Sequence, residues 1–379
     1  MEYTFSHNVI RTPIDTINII GAGGINQGTI TELWGPPGSG KSAFAYDTAS
    51  NFLMDNPTGR VKIIDPELSV NLIRLEHVFK LDMSRIDIVN APSLEAGYGE
   101  IYKLYKEHDE ATKTKKVPIP WLVIWDTIAA SKPGAEVAAA LEGKDPMNAG
   151  GMGLKARVNE INLAITMSGL WNKPITIFLL NQVRTAGFGS YQGPYDTSTG
   201  GNALKHTGHY RFAFRGVKKL YDEKLRMNIG TQSKVSIEKS KFGPTLKDIP
   251  VTIDDRSGGR IVSKDEAAQM LTTMELLAHS GGPWYKFKDD ETSYTWELSR
   301  LSEGSGNWIS QNPKTRMKCL DILARHFRTH FFTLDIVYEK IGLKLGELND
   351  EQKKLREELV SKFDFSNVIK PEERVGDTK

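Results

Sequence analysis

TITELWGPPGSGKSAFAYDTASNFLM (residues 29–54) is the stretch on which the fold turns. Residues 29–34 read as a short strand and residues 41–54 as a helix. Between them, GPPGSGKS (35–42) fits the phosphate-loop pattern G-x-x-x-x-G-K-[ST]. In such a loop the glycines let backbone N–H groups turn inward around phosphate oxygens. Lys41 would reach the β and γ phosphates, and Ser42 would offer its hydroxyl to Mg²⁺. Gly35, Pro36, Pro37, Gly38, Ser39, Gly40, Lys41, Ser42 and the following Ala43 are the candidate nucleotide contacts. A glycine-rich turn of no function can match the pattern by chance. The strand before it and the helix after it supply the context that the motif requires.

Outward from this loop the chain alternates. VKIID (61–65), WLVIWD (121–126) and ITIFLLNQ (175–182) are apolar runs with helical patterns between them. That alternation predicts an α/β fold, a mostly parallel sheet covered by helices on both faces. From Leu154, the apolar residues Val158, Ile161 and Ile165 fall at spacings that predict one buried helix face. The polar stretch HDEATKTKKVPIP (108–120) reads as a surface connection. Alternation weakens near residue 263, which divides a core at 21–263, preceded by a short segment at 1–20, from a smaller α+β C-terminal domain at 264–379.

The 379 residues fit two domains, and 39% hydrophobic with 25% charged residues is an ordinary globular composition. The formal net charge of +2 implies no nucleic-acid partner by itself, so local residues must carry any such reading. No apolar run is long enough to span a membrane. No secretion signal is visible, and the single cysteine, Cys319, suits a reducing cytoplasm.

Hydrolysis needs more than a phosphate loop: an acid for magnesium, a group to activate water and a sensor of the γ-phosphate. Asp126 ends an apolar strand, at the carboxyl edge of the sheet beside the phosphates. A strand-end acid also serves as a helix cap. Glu67, in DPELS after another strand, could accept a proton from the attacking water, or be a solvated loop acid. Gln182, read as the end of its strand, could bond a γ-phosphate and lose that bond on hydrolysis.

These elements, in this order, resemble the RecA family of recombinases. LNQVR (180–184) followed by TGGNALK (199–205) is similar to the family's second DNA-binding loop. GAGGINQGTITELWGPPGSGKS (21–42) resembles its approach to the phosphate loop. GMGLKAR (151–157) resembles the end of its first DNA-binding loop, EKSKFG (238–243) its lysine pair and SGGPWYKF (280–287) its exit from the core. The match covers residues 11–287, and the C-terminal part looks more like phage-encoded members than the bacterial housekeeping protein.

The resemblance implies ATP and Mg²⁺ as cofactors and a homo-oligomer, a helical filament or a ring, that binds single-stranded and double-stranded DNA. Single-strand-binding and loader proteins are further possible partners. In a phage member the setting would be the host cytoplasm. The DNA loops would lie at about 131–153 and 183–205, with Met152, Gly153, Arg157, Arg184, Phe188, Gly200, Gly201 and Asn202 as contacts. Met152 and Phe188 would wedge between bases, although aromatic residues are more often core. Backbone N–H groups of a TGGN run, with the Asn202 amide, suit contact to phosphates without reading bases. Lys239 and Lys241 would reach the neighbouring subunit's ATP, both from one side of a strand end. Asn71 and Arg74 occupy the adenine-flanking positions, where Arg74 could stack on the base.

Departures from the family pattern qualify this. Only MEYTFSHNVI, with Phe5 as a possible anchor, stands where the family has a docking helix and strand. Ala164 replaces a basic residue, and the tail VIKPEERVGDTK is not strongly acidic. Lys314, Arg316, Lys318, Arg325 and Arg328 make a dense basic helix, either a solvated face or a duplex-binding patch. His326 and His330 stand at helical spacing, but Phe327 occupies the position where a zinc-protease motif has Glu. A RecA-like ring helicase or regulatory ATPase without strand exchange is the alternative reading.

Overall fold

The computed structural model describes residues 9–149, 151, 153–186, 195–199, 203–262, 266–281, 284–287, 296–297, 313–331, 334 and 346–361. Strands β1 (Val9–Ile10) and β2 (Ile25–Asn26) pair antiparallel on either side of helix α1 (Asp15–Ile20). The core then runs β3 (Ile30–Gly35), α2 (Lys41–Asp55), β4 (Arg60–Ile64), β5 (Ile86–Val89), α3 (Leu94–Lys113) and β6 (Trp121–Trp125). It continues α4 (Gly134–Leu141), α5 (Leu154–Gly169), β7 (Ile175–Ala186), β8 (Tyr195–Ser198), α6 (Ala203–Thr207), β9 (Tyr210–Asp222), β10 (Met227–Ser240), β11 (Leu246–Asp254) and β12 (Arg260–Ile261). Beyond it lie α7 (Glu266–Thr273), β13 (Leu277–Gly281), β14 (Trp284–Phe287), β15 (Trp296–Glu297), α8 (Pro313–His330) and α9 (Asp350–Ser361).

The main sheet has ten strands in the order β5-β4-β6-β7-β3-β9-β10-β11-β12, with β8 paired to the far end of β7. Neighbours are parallel from β5 to β9 and antiparallel from β9 to β12. Every residue of β3 and β6 is buried, which explains the unbroken apolar run of β6, while β3 buries Thr31 and Glu32 among its apolar residues. Successive side chains of β6 alternate between two layers. Leu122 and Ile124 join the α2 layer, and Trp121, Val123 and Trp125 join the α3 and α5 layer. Phe44 of α2 fixes the first layer, with its ring 6.4 Å from Phe178 and 5.9 Å from both Phe212 and Phe214.

Three sequence expectations are corrected. Ile161 and Ile165 are 55% and 50% exposed, whereas Asn159, Leu163 and Thr166 of α5 are buried. The α3–α5 seam is polar: the Tyr98 hydroxyl donates to Asn159 Oδ1 at 3.0 Å and the Tyr105 hydroxyl to the Thr166 carbonyl at 3.0 Å. Hydrophobic period cannot register residues buried by hydrogen bonding. Second, residues 108–113 are the last turns of α3 and not a connection. Third, three of the five basic residues named on α8 are tied down within the protein. Arg316 pairs with Asp15, Arg325 with Asp321, and Arg328 donates to the Gly346 carbonyl at 2.7 Å, while Cys319, Ile322, Leu323 and Phe327 join the core.

Helix α1, which the sequence reading did not anticipate, is held by a residue some 250 positions along the chain. Oε1 of Glu266, on α7, accepts from the N–H groups of Asp15 and Thr16 at 2.8 and 3.3 Å, satisfying two donors that a helix start leaves open. Phe5 lies outside the described residues.

Gly97 is where α3 meets the sheet: a methyl group there would sit 2.2 Å from Trp125 Cζ2. Gly97→Ala is expected to lower unfolding free energy by about 1–3 kcal/mol through overpacking. Urea denaturation reads this, and an unchanged midpoint would show that Trp125 simply moves aside.

Candidate nucleotide and DNA site

The parallel register gathers the site at one edge. Gly35, the last residue of β3, lies opposite Gln182 of β7. Ile64 lies opposite Trp125, so Asp65 and Asp126 leave the sheet side by side, with the Asp126 N–H bonded to the Ile64 carbonyl at 2.9 Å. Carboxyl ends of parallel strands are where open α/β sheets bind ligands.

The phosphate loop closes onto the start of α2. Gly38 and Gly40 have φ of +70° and +101°, a region that favours glycine. A Cβ at Gly40 would also lie 2.6 Å from Ile253 Cδ1. Pro36 is partly exposed, Pro37 and Gly38 are exposed, and Ser39 and Ala43 are buried. Ser39 Oγ is buried and has no hydrogen-bond partner among the described residues. Lys41 Nζ donates to the carbonyls of Gly35 and Pro36 at 3.0 and 2.9 Å. Burial pulls the Lys41 ammonium down to about 8, against Asp126 and Glu67, which favour its charge.

Asp126 is 5% exposed, and burial raises its pKa above the usual carboxylate range. Hydrogen bonds from Ser42 and Tyr46 oppose that shift, the Tyr46 hydroxyl standing 3.3 Å from Oδ2. Glu67 is exposed, and its Oε1 accepts from Thr127 Oγ1 at 2.7 Å and from Gln182 Nε2 at 3.1 Å. The loop carrying Glu67 is pinned by Asp65, whose carboxylate accepts from the N–H groups of Ser69 and Val70 at 3.1 and 2.9 Å. Sequence reasoning missed Asp65, Thr127 and Tyr46. Only Asp65 had a local signal, as an acid placed to cap its own turn.

Gln182 does not end its strand. Val183–Ala186 continue β7 because β8 pairs with them, Val183 opposite Ser198. Gln182 therefore sits where the partner of β7 changes from β3 to β8.

The remaining candidates divide. Arg74 and Asn71 are exposed, but the Arg74 guanidinium lies 5.7 Å over the Phe79 ring and donates to the Gly258 carbonyl at 2.8 Å. Gly153, with φ of +83°, is the N-cap of α5, and Arg157 and Arg184 are exposed. Met152, Phe188, Gly200, Gly201 and Asn202 lie outside the described residues. Lys239 and Lys241 do not simply share a side of a strand end. The register of β10 shifts between Ile237 and Lys239, and Lys241 lies beyond the strand's last residue, Ser240. Lys239 Nζ instead donates to the carbonyls of Lys205 and His206, at 2.8 and 2.6 Å, and burial followed by the charge of Lys241 lowers its pKa. His330 Nδ1 lies 2.8 Å from the His326 carbonyl, and no cluster of three metal-ligating side chains exists among the described residues.

A sequence model of the RecA N-terminal domain matches residues 7–258. The chain belongs to the RecA family. It is 27% identical to Protein RecA of Malacoplasma penetrans over 308 residues, 80% of this chain and 82% of that protein. Protein RecA of Nautilia profundicola is 25% identical over 341 residues, 90% of this chain and 85% of that one. Protein RecA of Streptomyces venezuelae is 26% identical over 306 residues, 80% and 73% of the two chains. The donor set suits what a RecA-family core uses, ATP with magnesium: glycine backbone and a lysine for phosphates, a hydroxyl and a carboxylate for the ion. Among the described residues no helix is long and apolar enough to cross a membrane.

Because the Lys41 ammonium titrates near 8, affinity for ATP without DNA is expected to fall between pH 7 and 9 as that charge is lost. Calorimetric titration across this range checks it. A flat profile would show that loss of the Lys41 charge does not govern ATP binding in this range.

Proposed function

We propose that this RecA-family chain is an ATP-dependent DNA strand-exchange protein. It assembles as a filament on single-stranded DNA, pairs that strand with homologous duplex and hydrolyses ATP to ADP and phosphate. The observation that carries the reading is the bond from Gln182 to Glu67, which joins the candidate proton acceptor to the strand leading into the second loop. ATP bound with Mg²⁺ would supply the free energy of the cycle.

Each group then has a task. Lys41 neutralises phosphate charge, and Ser42 with Asp126 holds the ion. Glu67 takes the proton of the attacking water, oriented by Thr127. Gln182 senses the γ-phosphate and passes the change along β7, through Arg184, to the second loop. Gly200, Gly201 and Asn202, with Arg157 and Arg184, grip the DNA backbone, and Met152 and Phe188 wedge between bases. Lys239 and Lys241 act on the neighbouring subunit's ATP, so hydrolysis depends on assembly. Single-strand-binding and loader proteins would assist assembly. The phage-type assignment belongs to this proposal and rests on the sequence alone.

Strand exchange between a circular single strand and homologous linear duplex is the decisive assay: joint molecules that need ATP support the reading, and their absence sinks it. Glu67→Gln should bind ATP normally and turn over roughly 10²–10⁴-fold more slowly, as loss of a general base implies. Full activity in that variant would return Glu67 to the status of a loop acid. Arg184→Ala should weaken binding to all single-strand sequences alike and reduce the salt slope by about 0.7, one phosphate's worth. An unchanged slope would place Arg184 off the DNA.

A further inference from the structure

One ionic cluster touches all three parts of this machinery. Its centre is Arg211 of β9, whose guanidinium uses every nitrogen. Nε donates to Glu32 Oε2 at 2.6 Å, Nη1 pairs with Glu238, and Nη2 donates to Ser198 Oγ at 3.2 Å. The guanidinium carbon lies 4.4 Å over the Trp34 ring, and Trp34 Nε1 donates to Glu238 Oε2 at 3.1 Å. Glu32, on its other oxygen, accepts from Asn181 Nδ2 at 2.9 Å, and that amide also donates to the Thr199 carbonyl at 2.9 Å. Arg215 completes the charge balance on Glu238 Oε1. Glu32 is 1% exposed and Arg211 13%, so the pair at the centre is shielded from solvent, while Glu238 and Arg215 lie nearer the surface.

The sequence neighbours of the cluster give it meaning. Trp34 immediately precedes Gly35, the first residue of the phosphate loop. Asn181 precedes Gln182, and Ser198 and Thr199 precede Gly200–Asn202. Glu238 precedes Lys239, whose ammonium is held by carbonyls of α6, the helix that follows the second loop. We propose that Arg211 is a positioning residue that couples occupancy of the second loop to the phosphate loop and to Lys239. The inference rests on the reading that the second loop binds DNA. A planar fork with donors in three directions can hold Glu32, Ser198 and Glu238 in fixed relation. A lysine ammonium on a flexible stem cannot. A shift of the Ser198–Thr199 stem changes what Arg211 and Asn181 can offer Glu32 and Glu238, and buried networks of this kind have few arrangements that satisfy every member.

The test uses the full chain carrying Arg211→Lys or Ser198→Ala, with steady-state ATPase measured with and without saturating oligo(dT), and thermal melting as a check on folding. For Arg211→Lys, DNA-free turnover should stay within about threefold of the parent while DNA stimulation falls about tenfold, a coupling loss of ordinary allosteric size. Ser198→Ala, which removes one arm and spares the Glu32 pair, should lower the stimulation ratio by about threefold with little change in melting. A purely structural role predicts a lower melting temperature and an unaltered ratio. An unaltered ratio in the folded variants overturns the inference. Should Arg211→Lys fail to fold, Ser198→Ala decides alone. A parent protein that oligo(dT) does not stimulate overturns the DNA-loop reading and the inference with it, whereas a stimulated parent with equally stimulated variants overturns the inference only.

Discussion

The site depends on the parallel pairing of β3 with β7 and β9. This register sets Gly35 against Gln182 and brings Asp126, one strand further along, to the same edge. Slippage by one residue would turn every side chain of β3 to the opposite layer. Both layers are filled, with Leu33 in one and Ile30 in the other, so the register is fixed from both sides. The rigidity of the edge comes from the core beneath it.

On that edge the electrostatics are set by burial. Lys41 and Asp126 are both withdrawn from water, and the same withdrawal lowers one pKa and raises the other. Each therefore gains most from a charged partner of opposite sign. Glu67 stays exposed at the rim, where water can reach it, and is oriented by Thr127 and Gln182. The division between buried charge holders and an accessible proton acceptor suits hydrolysis at a phosphate.

Much of this was legible in the sequence. The phosphate loop is a local motif, and β6 is a continuous apolar run because nothing in it faces water. What could not be read was decided by partners distant along the chain. Gln182 looks like a strand end until β8, beginning thirteen residues later, extends the ladder. Arg74 donates to the Gly258 carbonyl, a contact that no local pattern shows. Lys239 and Lys241 look like a pair on one side of a strand end until the β10 register shift and the carbonyls of Lys205 and His206 separate them. Helix α5 misleads by its composition, because Asn159 is buried by a tyrosine hydroxyl and two isoleucines are left outside.

The cap that Glu266 places on α1 has a thermodynamic consequence. Burial, reinforced by the nearby charge of Asp15, lifts this carboxyl from its ordinary 4.5 to about 8. Arg316 faces Asp15 from α8 and compensates that neighbour instead of Glu266. Near neutrality, then, folding this junction takes up a proton. Between the two pKa values the unfolded chain ionises and the folded one does not, so the stabilising share of this residue drains away as pH rises through the window and levels off above about 8. The tie between the first helix and the last third of the chain is strongest in mild acid.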